Sequence, residues 1–420
     1  MKVCVVGSGG REHALALALA RTAEVVVTPG NPGMAGTSAQ GHPITVTDVP
    51  PESVTADLVV IGPEQPLVDG LADRLRADGR AVFGPGADGA RLEGSKAFMK
   101  EILDEARVPT ARYGVFDEAG PAHRFLRELP GPWVVKTDGL ASGKGVLVTD
   151  DRAEAEADVV AKVSGESFGE AGRRVVVEEG LVGAECSVLV LCDGTRITAL
   201  PVAQDYKRLG DGDSGPNTGG MGACSAVGLV PDAVVDRILD ESVEPLVAAL
   251  RRRGIDYRGV LYAGLILTTD GPKVLEYNVR FGDPETQAVL PRVDEDVTGL
   301  LAEVAAGRLR TDPRPTPAAV VCVVLAAAGY PASPRSGDPV EGLGRAAAVP
   351  GLTVLHAGTG LDEKGRTVTA GGRVLGVTGT GPTLGDARAR AYAGVDLISW
   401  DGVQYRTDIA AVPARTGGTG

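Results

Sequence analysis

The sequence predicts an α/β fold whose N-terminal part is an open parallel sheet, and three features of the chain carry that prediction. Short apolar strands repeatedly end in glycine: residues 2–6 run into Gly7-Ser8-Gly9-Gly10, 58–61 into Gly62-Pro63-Glu64, and 81–83 into Gly84-Pro85-Gly86. Three such exits at strand C-termini point to one ligand crevice along a sheet edge. The first exit opens an alanine-rich helical stretch at about 11–21, an order that brings a phosphate to the N–H groups of a helix start. Further along, residues 259–287 hold two apolar runs around an Asp270-Gly271-Pro272 turn, the mark of a β-hairpin.

With 420 residues, 43% of them hydrophobic, the chain should form two to four domains with real cores. A formal charge of −13 argues against a nucleic-acid partner, which calls for a basic footprint, but not against small anionic substrates met by local cations. The five cysteines are scattered, odd in number and without a C-x-x-C pair, so they read as reduced, mostly buried thiols. The chain enters a strand at once without a signal-peptide plan, and its longest apolar run, 318–328, is too short to span a bilayer. A soluble, cytoplasmic protein without membrane contact is expected.

The first glycine turn does not complete a dinucleotide fingerprint. Glu12 stands where the third glycine belongs, and the next strand (25–27) ends in Thr28-Pro29-Gly30 without the ribose-binding acid. His13, in the first helical turn, reads as a packing or capping residue. Glu93-Gly94-Ser95-Lys96 leads into a helix that should end before Pro109, with Lys96 a solvated first-turn residue or a phosphate ligand. Residues 133–136 form a strand, followed by a glycine-rich loop (137–145) and another strand (146–148). That loop lies between strands, has Asp138 inside it and Gly145 after Lys144, and so is not a Walker A loop. It reads as a β-hairpin flap with Lys136 at its base and Lys144 at its tip, suited to folding over phosphates.

A further strand (174–178) runs into Glu179-Gly180-Leu181, and Glu185 opens the next. This hinge has backbone groups for a base and an acceptor for sugar hydroxyls. Gln204-Asp205-Tyr206-Lys207-Arg208 enters a long polar loop, 211–222, which fails as an EF-hand because Gly215 replaces an oxygen ligand and no glutamate closes it. Loops of this length in compact domains are usually functional. In the hairpin, Leu275, Tyr277, Val279 and Phe281 should share one face, and Glu276, Asn278 and Arg280 the other. Alternation of this kind is first of all the mark of a half-buried strand. The polar face, however, offers a carboxylate and an amide oxygen suited to Mg²⁺, then a guanidinium suited to a carboxylate or phosphate. The chain then turns helical to about 309. Residues 310–317, with Pro313, Pro315 and Pro317, read as a linker. The last hundred residues alternate short strands with one helix near 384–398, show no catalytic constellation, and suggest a structural or lid-like domain before a loose tail at 411–420.

The segments GSGGREHA (7–14), PGNPG (29–33), GPEQPL (62–67), LEGSKAF (92–98), KTDGLASGKGV (136–146), QDYKR (204–208), GPNTGGMGA (215–223), LYAGL (261–265) and EYNVRFGDPETQ (276–287), in this order, resemble the phosphoribosylamine–glycine ligase family of ATP-grasp enzymes. The likeness extends to HAGT (356–359) and GGRVL (371–375). It implies an ATP-grasp fold with an N-terminal parallel-sheet domain (1–100) that binds phosphoribosylamine. An ATP-grasp domain (101–315, mobile lobe about 120–185) and a C-terminal mixed α/β domain (316–420) would follow. It implies ligation of glycine to 5-phosphoribosylamine through a glycyl phosphate, with ATP as co-substrate and Mg²⁺ or Mn²⁺ as cofactor, by a monomer. Other ATP-grasp ligases or carboxylases, and a non-enzymatic nucleotide binder, are the alternatives. Carried over by motif, Glu276 and Asn278 bind metal, and Lys96, Lys136 and Lys144 serve the phosphates. Glu178 and Leu181 form the adenine hinge, with Glu185 on ribose. Arg280, Asp205 and Lys136 are the catalytic candidates. Gly7, Gly9, Gly10, Glu12, Gly62, Glu64, Asp205, Arg280 and Asp283 are the substrate candidates. The chain departs from the family's usual residues at Ser8, Ala184, Tyr206 and Val279. It also lacks a carboxylate over 262–267, as that family does.

Overall fold

The computed structural model describes residues 1–37, 41–141, 145–167 and 173–411. The N-terminal sheet has six strands in the order Gly36–Thr37, Pro43–Val46, Glu24–Pro29, Lys2–Gly7, Leu58–Ile61, Ala81–Phe83. Lys2–Gly7 lies between two parallel partners, and Val3, Cys4 and Val5 are wholly buried, as expected of a strand covered on both faces. Because Lys2–Gly7, Leu58–Ile61 and Ala81–Phe83 run parallel side by side, their glycine exits fall along one sheet edge.

A second, antiparallel sheet orders Tyr113–Phe116, Val175–Glu179, Trp133–Thr137 and Val146–Thr149. With the helices Ala119–Glu128 and Arg152–Val163 it encloses its own small core around Leu126, Val135, Val159 and Val177. A third sheet orders Ile197–Ala199, Ala184–Asp193, Arg258–Thr268 and Gly271–Asn278. Its strand Arg258–Thr268 separates two cores. Leu261, Ala263 and Leu265 pack with Leu246 and Leu250 of the helix Glu244–Arg252. Val260 and Tyr262 join Phe83, Phe281 and the helix Val297–Ala305.

The hairpin differs from its sequence reading in two respects. Thr268 pairs with Gly271, so the turn is Thr269-Asp270 and Gly271, at φ +121°, opens the second strand. Gly264 pairs with Glu276 but Leu265 with Val274, which leaves Leu275 as an extra residue in a β-bulge. The bulge reverses the parity of the strand. Val274 rather than Leu275 shares the buried face with Tyr277, Val279 and Phe281, and Leu275 turns to the same side as Glu276.

The last sheet is shared between distant parts of the chain. Gly222–Ser225, from the middle of the sequence, pairs with Gln204–Asp205 on one side and with Ala319–Ala326 on the other, which is followed in the sheet by Arg373–Gly381 and Leu352–His356. All eight residues of Ala319–Ala326 are buried, and the helix Leu384–Val395 covers the sheet. The proline-rich connection at 310–317 is tied down along its length. Thr316 N–H reaches the Arg292 carbonyl at 2.8 Å, Arg314 N–H reaches Glu295 at 2.8 Å, and Asp312 pairs with Arg196 at 2.6 Å. All five cysteines are free and buried, and burial pushes the Cys186, Cys192 and Cys322 thiols up to about 12. Among the described residues no helix is long and apolar enough to cross a membrane.

Leu261, fully buried in the strand between the two cores, should be a pure stability position. Leu261→Ala is expected to cost about 2–5 kcal/mol in urea unfolding. Activity per folded molecule should remain near that of the parent, because the side chain points away from the cleft described next.

Candidate active site

Where the second and third sheets face one another, with the edge of the last sheet closing one end, they leave a cleft of about 1030 Å³. The bulged strand supplies one wall, and Leu275, Glu276 and Asn278 all face the cleft. Burial works against the charge on Glu276, but Lys207, Lys136 and Lys96 outweigh it and hold the carboxyl below its ordinary range. Lys207 stands nearest, its Nζ 3.9 Å from Glu276 Oε1 and 3.2 Å from Glu185 Oε2.

The lysines on the opposite wall are fixed by one carboxylate. Glu178, 2% exposed, accepts ion pairs from Lys100 and Lys136 at 2.8 Å each. Burial alone would raise its pKa, yet the two ammonium groups hold it below the ordinary value. Lys136 also donates to the Leu275 carbonyl at 3.1 Å, tying the second sheet to the bulge. The side chain of Glu178 is therefore committed to the two lysines, and what it presents to the cleft at the hinge is its backbone. Leu181 and Glu185 do line the cleft. Lys96 begins the helix Lys96–Ala106, capped by Ser95, and its Nζ reaches the Gly139 carbonyl at 3.0 Å. Burial lowers the Lys96 pKa, with Glu276 pulling the other way. Lys144 lies outside the described residues.

Arg280 is set into the wall between Glu64 (Nε–Oε2 3.2 Å) and Glu93 (Nη2–Oε1 2.9 Å), and it also donates to the Phe281 carbonyl at 3.2 Å. A guanidinium has five N–H donors, so some remain for an incoming anion. Asp283 accepts from Gln287 at 2.7 Å and pairs with Arg373 at 3.0 Å. Asp205 sits on the edge strand of the shared sheet. Burial pushes its pKa up to about 7, Lys207 opposes this, and Glu285, Glu185 and Glu276 add to it. Glu285 itself accepts from the Tyr262 hydroxyl at 2.9 Å.

The glycine turn stands behind this wall rather than on it. Gly9 N–H donates to Glu12 Oε2 at 2.6 Å, and Glu12 Oε1 accepts from Arg11 Nε at 2.6 Å. A side chain at Gly7 or Gly62 would collide with Glu12. Glu12, expected as a substrate ligand, is instead a buried part of the turn, and the Gly9 N–H is already engaged. Of the first turn, Arg11 is the side chain that reaches the cleft, next to Glu64 of the second exit. The C-terminal domain buttresses the turn: Asn31 donates to the Ser8 and Ala357 carbonyls at 2.8 and 3.1 Å, and His356 N–H donates to His13 Nδ1 at 2.8 Å. His13 thus has the packing role foreseen, with burial driving its pKa down to about 3.

The structure therefore brings together Lys96, Lys136, Glu178, Leu181, Glu185, Asp205, Glu276, Asn278, Arg280, Asp283 and Glu64 around one cleft. Gly7, Gly9, Gly10, Glu12 and Gly62 form the layer beneath. Sequence reasoning missed Arg11, Glu93, Lys207, Glu285 and Arg373. All five lie inside segments already singled out, Arg373 within GGRVL (371–375). Arg373 brings the last hundred residues, read as a structural or lid-like domain without a catalytic constellation, up to the site: it bonds the Asp283 carbonyl at 2.7 Å and the Gly219 carbonyl, and faces the cleft together with Tyr330.

Comparison with known proteins covers the whole of this architecture. Residues 1–93, 94–286 and 320–412 match the N domain, the ATP-grasp (A) domain and the C domain of phosphoribosylglycinamide synthetase. A phosphoribosylamine–glycine ligase of Leifsonia xyli is 48% identical over 427 residues, covering 98% of this chain and 100% of its own. The crystal structure of a phosphoribosylamine–glycine ligase from Thermotoga maritima superposes with a TM-score of 0.86 at 34% identity, over 97% of this chain and 100% of the other. The biotin carboxylase domain of Hydrogenobacter thermophilus 2-oxoglutarate carboxylase, solved with MgADP and bicarbonate, shares the fold at 19% identity and a TM-score of 0.69, covering 96% and 91% of the two chains.

Replacing Glu178 should expose how much rests on it. In Glu178→Gln two buried ammonium groups lose their partner, at a cost of about 3–5 kcal/mol in urea unfolding at neutral pH. Because the folded-state pKa of Glu178 is depressed, its contribution is present above the ordinary glutamate range and is lost as pH falls through the folded value. The difference between parent and variant should accordingly shrink on acidification. A difference that is constant with pH would contradict the assignment.

Proposed function

The chain belongs to the phosphoribosylglycinamide synthetase family, and from that premise we propose how its cleft carries out the reaction. It is an ATP-dependent ligase of purine biosynthesis that joins glycine to 5-phosphoribosylamine. The observation that carries the reading is the match of all three family domains in order, around a cleft that gathers Glu276, Asn278, three lysines and Arg280.

The donor set fits a divalent cation. Glu276, held charged by the surrounding lysines, and Asn278 two residues on present hard oxygens to the cleft. Among the described residues no three His, Cys, Asp or Glu side chains form a closed metal cage. Two protein oxygens with the remaining positions open suit Mg²⁺, which keeps waters and substrate phosphates as ligands. Bound there, Mg²⁺ or Mn²⁺ would neutralise charge on the phosphates of ATP.

Lys136 at the flap base and Lys96, bonded to the Gly139 carbonyl, both line the cleft and are placed to hold the phosphate chain. The backbone from Glu178 to Leu181 takes the adenine, and Glu185 accepts from ribose. Arg280 and Arg373 are the cations for the two anionic substrates, glycine and the 5-phosphate, with Arg11 beside Glu64 at the N-terminal exits. A glycine carboxylate oxygen attacks the γ-phosphorus and ADP leaves. The amine of phosphoribosylamine then attacks the acyl carbon, phosphate departs, and the amine gives up a proton. Asp205 is the proposed acceptor. Little covalent help is needed from the protein, since such phosphoryl transfer depends on positioning and charge neutralisation.

ADP release, assayed with glycine and phosphoribosylamine together and separately, tests the activity: release should require both. Release that needs bicarbonate instead would move the chain to the carboxylases. Glu276→Gln should keep its melting temperature and lose about 10²-fold or more in turnover, the scale of several kcal/mol of lost charge stabilisation. Near-normal turnover with unchanged magnesium dependence would remove Glu276 from the metal site. If Asp205 accepts the proton, kcat/KM for phosphoribosylamine should rise as pH increases through about 7, since the raised pKa keeps the carboxyl protonated below that. Asp205→Asn should abolish this limb, and a profile unchanged in shape would assign the proton elsewhere.

A further inference from the structure

Lys207 has no place in the scheme above, yet it occupies the centre of the acidic wall. Glu185 and Glu276 stand on strands that flank Arg258–Thr268 on either side. Glu185 is paired with Ile266 and Glu276 with Gly264, so the two carboxylates stand diagonally across the central strand, two residues apart in register, and Gly264 leaves the space beside Glu276 without a side chain. The Lys207 ammonium fills that gap, 3.2 Å from Glu185 and 3.9 Å from Glu276.

The backbone of Lys207 is held by hydrogen bonds, whereas its head is held through ion pairs. Its carbonyl accepts both the N–H and the hydroxyl of Thr218, at 2.8 Å each, and the Thr218 hydroxyl in turn accepts from Gly220 N–H at 3.0 Å. Tyr206 N–H bonds the Gly222 carbonyl at 3.0 Å, and Met221 N–H the Tyr206 carbonyl at 2.7 Å. The long polar loop thus acts as a clamp for the base of one lysine. The side chain beyond it is a third exposed, on a flexible four-carbon stem that ends in a compact charge.

We propose that Lys207 is a built-in counter-cation of the metal site. In the nucleotide-free enzyme its ammonium neutralises Glu185 and Glu276. When nucleotide and metal arrive together it cedes both carboxylates and moves onto the transferred phosphoryl group. The inference rests on Glu276 as a metal ligand. A divalent cation on Glu276 and an ammonium within about 4 Å repel strongly at such range. Without nucleotide, an entering metal must expel Lys207 into water; with nucleotide, the expelled ammonium has a phosphate to receive it. Metal and nucleotide should therefore bind with strong positive coupling, and Lys207 should be its source.

The test is Mn²⁺ titration of the full-length protein followed by electron paramagnetic resonance, with and without the β,γ-methylene analogue of ATP. Without nucleotide, Lys207→Met should bind Mn²⁺ about tenfold or more tighter than the parent, because a competing charge has gone. With the analogue its affinity should be no greater than that of the parent, so the coupling shrinks by about tenfold or more. Lys207→Arg, which keeps the charge, should follow the parent without nucleotide. Lys207→Gln carries the same expectation as Lys207→Met should the latter fail to fold. Unchanged or weaker nucleotide-free Mn²⁺ binding in a folded neutral variant overturns the proposal. Glu276→Gln separates the two readings. If it abolishes Mn²⁺ binding in the presence of the analogue while the Lys207 variants behave as the parent, only the counter-cation fails. If it leaves binding intact, the metal assignment fails first.

Discussion

The ion pairs of Glu178 hold the site together because their partners come from different parts of the fold. Lys100 belongs to the helix Lys96–Ala106, Lys136 and Glu178 to adjacent strands of the second sheet, and the same Lys136 bonds the bulge of the third. One buried carboxylate therefore fixes the angle at which the phosphate-facing wall meets the metal-facing wall. Buried ion pairs are weak evolutionary bargains for stability as such, since desolvation offsets much of their Coulomb energy. What this one supplies is position. Without it, Lys136 would be a flexible side chain near the cleft rather than a charge at a defined point.

The cleft also shows how a chain of net charge −13 receives anionic substrates. Its walls alternate sign over short distances: Arg280 between Glu64 and Glu93, Lys207 between Glu185 and Glu276, Asp283 against Arg373. Each cation is pre-oriented by a carboxylate, and the overall field matters less than these local pairings. For the two arginines, set in the walls by several bonds each, reorganisation is small when an anion arrives, which is the basis of electrostatic preorganisation.

Much of this was legible in the chain. The glycine exits predicted a parallel sheet edge, and Asp-Gly between apolar runs predicted the hairpin that carries Glu276 and Asn278. Simple alternation misplaced Leu275, because a bulge leaves no trace in a period-two pattern; it is a property of pairing, and the partner strand is not visible from one strand alone. Glu12 entered the substrate candidates through the motif that contains it, and its burial against Gly7 and Gly62 is a matter of packing that no local pattern displays. Arg373 was out of reach for a different reason. It lies ninety residues from Asp283, in the GGRVL segment (371–375) that carried a likeness but no assigned role, and it reaches the cleft through a sheet that two mid-chain strands complete.

That shared sheet bears on how the protein can be taken apart. The proline-rich connection at 310–317 resembles a seam, and the last hundred residues resemble an exchangeable module. Cutting there would strip Gly222–Ser225 from one edge of Ala319–Ala326, bare a row of unpaired backbone groups on a wholly apolar strand, and withdraw Arg373 from Asp283. A chimera built at the apparent seam would thus inherit a sticky edge and an unpaired carboxylate. Recombination that preserves the molecule has to carry the segment from Gln204 to Ser225 along with the terminal domain, so the natural unit of exchange is discontinuous in sequence.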